Sequence, residues 1–171
     1  MTQPSGETAS HGKRLRHRPL FWLILVAIVG FGLAQLVPIG VTNPSARVEP
    51  SWDSPRTREL AVAACFDCHS NQSSHVWYED VAPLKWWIAG HVSDGRRALN
   101  FDEWNRPQRR AGRASRTVTE ATMPPAYYHW FGLHASAKLS AADQQALAAG
   151  LARTIADSPP PGGVSIRGGD R

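Results

Sequence analysis

Only two of the 171 residues are cysteine and only two are methionine, one of them the initiator. Two cysteines exclude the multi-bridge disulfide framework that staples many small exported domains. Structural zinc takes four protein ligands, commonly with a second Cys or His pair at defined spacing, and no third cysteine exists here. The chain also lacks any run of β-branched residues alternating with polar ones, so strands are not expected. No glycine-rich phosphate loop, Ser–His–Asp order or paired-carboxylate site stands out, which leaves hydrolase readings without support. Charge of either sign is absent from Leu20 to Val37. The net charge is +5, and residues 1–18 contribute +3 of it through Lys13, Arg14, Arg16 and Arg18 against Glu7. The basic excess is therefore mostly a topology signal, and nucleic-acid binding is not expected.

What is present is concentrated in Cys65-Phe66-Asp67-Cys68-His69, which holds both cysteines. This is the C-x-x-C-H spacing of covalent haem attachment. Two thiols three positions apart can add to the two vinyl groups on one edge of a haem, and the following imidazole then lies under the iron. The reading names Cys65 and Cys68 as attachment points for one haem c, with His69 as proximal ligand. A redox dithiol or a plain disulfide competes for the same two cysteines.

Leu20–Val37 reads LFWLILVAIVGFGLAQLV, with Gln35 the one polar side chain. As a helix it would span roughly 27 Å, close to a bilayer core of about 30 Å. Basic residues precede it and no charge follows until Arg47, so positive-inside bias places the N-terminus in the cytoplasm. A cleaved signal peptide is the rival, but no Ala-x-Ala site follows the stretch. The expected organisation is a cytoplasmic basic tail (1–18), a transmembrane anchor (19–39), an extended tether (40–56), a c-type haem-binding domain (57–157) and a disordered Pro/Gly tail (158–171). That puts a single-pass protein in the bacterial inner membrane with its haem domain periplasmic.

The domain is expected to be all-α. Ser54-Pro55 has the chemistry of a helix start, and Leu60, Ala61, Ala64 and Cys65 share the next helical face. Pro83 can open a second helix with Leu84, Trp87, Ile88, His91 and Gly95 along one stripe. Asp102 is a plausible cap for a third helix, loosely Glu103–Glu120. Ser140 and Asp143 resemble a capping box before the stripe Leu147, Leu151 and Ile155.

The second axial ligand is expected to be Met123, the one internal methionine, in Ala121-Thr122-Met123-Pro124-Pro125, where two prolines forbid a regular helix. A neutral thioether on iron favours the ferrous state. The plainer reading makes Met123 a core gap-filler. His91, on the apolar stripe, is its rival as ligand. His129 and His134 follow within eleven residues without independent support. From Arg96 to Arg116 seven arginines face Asp102 and Glu103, a local +5. This is a solvated face with one or two arginines paired to haem propionates, Arg96 and Arg97 being the better candidates. The sharper alternative is a docking patch for an acidic redox partner or anionic lipid. Trp77 and Trp87 are candidates for the pocket wall.

With these residues collected, the chain resembles the bacterial haem-binding domain family of short, membrane-anchored c-type haem proteins, from about Ala61 to Leu147. The matching pieces are Cys65-Phe66-Asp67-Cys68-His69-Ser70-Asn71, Trp77-Tyr78, Ala82-Pro83, Gly95-Arg96-Arg97, Leu99-Asn100-Phe101 with Trp104, Met123-Pro124-Pro125, and Ala137-Lys138-Leu139-Ser140. The resemblance implies covalent haem on Cys65 and Cys68 with His69 as ligand, in a cytochrome c-like helical domain. It implies no reaction. The basic segment before the methionine departs from the acidic one such proteins tend to have. The expected function is electron transfer with an unidentified redox protein. A haem sensor or peroxidase-like enzyme with an open sixth position is the alternative, and a thiol–disulfide oxidoreductase comes third.

Overall fold

The structure, a computed structural model, describes residues 17–162; most of the basic tail, and the chain beyond Gly162, lie outside the described residues. Contacts divide the chain into a unit up to Pro38 and a unit from Ile39 onward. The first holds α1 (His17–Gln35). Among the described residues, Arg18–Gln35 is the one stretch long and apolar enough to cross a membrane.

The second unit is all-α, with no strand among the described residues and a single isolated bridge between Val48 and Glu103. Its first helix, α2 (Pro55–Ala64), starts as its residues dictate. Ser54 is extended and its hydroxyl accepts the Thr57 N–H, while Pro55 occupies a position where no N–H is needed. A short α3 (Phe66–His69) follows, then α4 (Leu84–Ala98), α5 (Ala114–Thr119) and α6 (Ala141–Asp157), linked by 3₁₀ turns. α6 is capped by Ser140, which accepts the Asp143 N–H at 3.1 Å. Leu147, Leu151 and Ile155 are buried along its length. The core they join includes Leu60, Ala61, Leu99 and Val118. Behind α3 an aromatic group of Trp52, Phe66, Phe101 and Trp104 packs with ring centroids 5.1–6.3 Å apart.

Four expectations change. No helix begins at Glu103: α5 is confined to Ala114–Thr119, and Asp102, fully buried, accepts the Asn71 N–H instead of capping. α4 buries Lys85 and Val92 while Leu84, Trp87 and His91 stay exposed. Its seating is set lower down, where a Cβ on Gly95 would collide with the Cys68 carbonyl. Most of the stretch read as a tether is bound to the domain: Asn43 exchanges hydrogen bonds with Ser73, and Val48 with Asp102 and Trp104. The start of the expected tail is held too, since the Ser158 carbonyl accepts the Trp104 indole N–H at 2.7 Å and Pro160 is buried.

Candidate functional site

Cys65 is the corner of the site. It ends α2, donating its N–H to the Ala61 carbonyl, and its non-helical backbone (φ −124°) breaks the helix. α3 restarts at once, and the Cys65 carbonyl accepts the N–H groups of both Cys68 and His69. Phe66 anchors the turn by stacking on Phe101 at 5.7 Å. Beyond the motif, a buried polar clamp fixes the exit. Asn100 donates to the Asn71 side chain at 2.9 Å, and Asp102 accepts from Asn71 and Gln72. Buried carboxylates persist where their lone pairs are satisfied in this way.

The His69 ring is oriented from behind. Nδ1 lies 3.1 Å from the Gly95 carbonyl and 3.0 Å from the Leu99 carbonyl. Carbonyls only accept, so Nδ1 carries the proton and the Nε2 lone pair is left for a metal. Burial pushes this imidazole below its ordinary value, partly offset by those two carbonyls. It is therefore neutral at physiological pH, as ligation requires. Burial also pushes the Cys65 thiol up to about 12, with Cys68 adding to it. The Cys68 thiol rises to about 11, from burial and then the Asp67 carboxylate. Reactive dithiols need a depressed value, so this pair is poorly suited to thiol–disulfide exchange.

Another part of the cavity wall comes from α5. Its Thr117 carbonyl accepts three donors from the turn that follows: the Thr122 N–H at 3.0 Å, the Thr122 hydroxyl at 3.1 Å and the Met123 N–H at 3.2 Å. Ala121 takes a left-handed backbone to make the reversal. Met123 and His69 then line one cavity of about 320 Å³ together with Cys65. Leu99, Phe101, Val118 and Leu151 supply apolar wall, and Arg110, Arg113 and Arg116 stand at it as well. An apolar slot with an imidazole nitrogen and a thioether on its walls, and guanidinium groups beside it, fits a haem. A haem bound there would find N and S donors for its iron, an apolar wall for its ring and forked donors for its propionates.

Other expected site residues lie elsewhere. Cys68 is half-buried and does not line this cavity. Arg96 lines a separate polar cleft with Arg97. Its guanidinium donates to the Ser70 and Thr42 carbonyls and to the Asn43 and Ser73 side chains. Arg97 pairs with Asp94. Trp77 is 77 % exposed. Trp87 packs tilted against His91 at 4.1 Å and edge-on to Tyr127 at 5.4 Å, outside the cavity. His91 is exposed and its Nδ1 bonds the Trp87 carbonyl. The arginines at the cavity, Arg110, Arg113 and Arg116, belong to the basic segment but are not the ones singled out within it from sequence. Their spacing by three along the basic segment is the signal that would have singled them out.

The haem-binding domain profile matches residues 29–153, well over half of the chain. No curated protein and no solved structure matches it. With an oriented imidazole and a thioether lining one apolar cavity, the fold and the match agree, and the chain belongs to the haem-binding domain family.

Proposed function

We propose that this domain carries one covalent haem c, held by Cys65 and Cys68 with His69 and Met123 as axial ligands, and that it transfers electrons. The observation that carries this reading is the sharing of one cavity by His69, Met123 and Cys65, with no other histidine on its wall among the described residues. Attachment is an addition: each thiol S–H adds across a vinyl group, sulfur to one carbon and hydrogen to the other, with nothing released. Haem bound there supplies a one-electron ferric–ferrous couple. The residues around it hold that couple steady. The Nδ1–H bonds of His69 fix its ring and raise its basicity, and the Thr117 carbonyl holds the Met123 turn in place. Arg110, Arg113 and Arg116 would neutralise the propionates, a role we assign to them in place of Arg96 and Arg97. α1 serves as an uncleaved anchor with the haem domain on the periplasmic side. The redox partner is a protein, and the basic segment suits an acidic one.

The alternative is a sensor or peroxidase-like protein with an open sixth position; His129, whose buried Nδ1 has no partner among the described residues, does not line the cavity. The deciding experiment uses protein made with a cytochrome c maturation system. With sulfur on iron, the oxidised spectrum shows a weak long-wavelength charge-transfer band and the haem is low-spin. Met123→Ala removes that band, lowers the potential and admits cyanide readily, while His91→Ala changes little. A Met123→Ala spectrum identical to the parent overturns the ligation, and an open site with peroxide turnover promotes the alternative.

A further inference from the structure

Between Pro124 and Ala137 there is no Asp, Glu, Lys or Arg, yet this apolar stretch is not core. Trp130 is 61 % exposed and Phe131 96 %. The backbone imposes this. Trp130 is extended, Phe131 is left-handed at φ 57°, and Gly132 follows at φ 74°. A bulky aromatic residue rarely adopts that conformation, and strain of this kind persists only where the surroundings over-determine it. They do so here. The Tyr128 hydroxyl donates to Asp67 at 2.5 Å, the Tyr128 ring stacks on His134 at 3.9 Å, and Tyr78 and His134 share a 2.6 Å hydrogen bond. The tip is thus presented on a braced turn. Its apolar surface continues from Trp130 through Tyr127 to Trp87 on α4, with centroid steps of 6.4 and 5.4 Å.

Chain length indicates what covers it. α1 ends at Gln35, and Thr42 and Asn43 are already hydrogen-bonded to the domain. Only residues 36–41 lie between them, a reach of about 20 Å fully extended. If α1 spans a bilayer, this limits how far the domain can stand from the surface. Tryptophan and tyrosine favour the headgroup layer, where an uncharged aromatic tip also avoids the cost of burying charge.

We propose that the Tyr127–Leu133 turn seats in the interfacial layer of the bilayer that α1 crosses, with Trp130 and Phe131 as the inserted side chains. This rests on the anchor reading above. The test keeps the full holoprotein, replaces Phe131 with the photo-crosslinker p-benzoylphenylalanine, and reconstitutes it in phosphatidylethanolamine–phosphatidylglycerol vesicles. Trp130 is the second position, and Val62, exposed on α2, is the control. After irradiation, phospholipid adducts on the peptide containing residue 131 or 130 should exceed those at Val62 about tenfold. Protein that floats with the vesicles but gives no excess over Val62 overturns the docking alone. Protein that does not float overturns the anchor and the docking with it. The same variant irradiated in cells should again give lipid adducts, and a protein adduct in their place assigns the surface to a partner and refutes the proposal.

Discussion

The His69 imidazole is set by carbonyls from the end of α4, and those carbonyls are in turn placed by the polar clamp beneath them. Asp102 is the member of the clamp with most to lose. It is fully buried and accepts from the Asn71 N–H at 2.7 Å and the Gln72 side chain at 2.8 Å. Asp102→Ala strands a buried N–H and should destabilise the holoprotein by about 2 kcal/mol, read as a lower urea midpoint with an unchanged slope. His134 gives a second expectation. Burial holds its value below the ordinary 6.5, with Asp67 pulling the other way and His129 adding to the depression. The folded value is the lower one, so the unfolded chain takes up the proton first. Its contribution is intact above pH 6.5 and is lost as pH falls below it. His134→Gln, which removes the titration, should flatten the dependence of the urea midpoint between about pH 7.5 and about pH 5. An unchanged slope would assign the acid sensitivity to other groups.

At the scale of elements, the tightest approach is that of α4 to α3. A Cβ on Gly95 meets the Cys68 carbonyl and its backbone carbon. Backbone gives way less readily than a side-chain tip, so Gly95→Ala should push α4 away from the motif and lower stability by about 1–3 kcal/mol. Because the Gly95 and Leu99 carbonyls hold His69, the same change should lower the yield of protein with attached haem, measured as the ratio of haem absorbance to polypeptide. Helices with local start signals were legible in the sequence: Ser54-Pro55 and Ser140 cap the helices they were expected to cap. The face of α4 was not legible, because its seating depends on a steric contact 27 positions away, between Gly95 and Cys68. Asp102 looked like a cap because its partner, Asn71, is 31 residues distant. For the cavity, scarcity narrowed the candidates: the one internal methionine lines the same cavity as Cys65 and His69 of the one C-x-x-C-H motif. The partners of Arg96 were not legible for the opposite reason: among seven arginines, the one committed to Thr42 and Asn43 is chosen by contacts 54 and 53 residues off.

For the whole molecule, the core residues and the residues that line the cavity lie beyond Ile39. A chain beginning at residue 39, exported behind a cleavable signal sequence so that haem attachment can proceed, should therefore fold, keep the optical spectrum of the full protein and leave the membrane fraction. Loss of the haem spectrum on that truncation would mean that α1 contributes to the domain's stability, which nothing in the core composition requires. Arg96 matters at this scale for another reason. Any tension along the chain from Val41 arrives first at Thr42 and Asn43, which are gripped by one guanidinium, Asn43 also by the N–H and carbonyl of Ser73. The load then divides between the axis of α4 and the strand of chain after Ser70. The segment leaving His69 is thus one of two parallel supports, and a pull on the leash is shared with a fifteen-residue helix before it can tilt the imidazole.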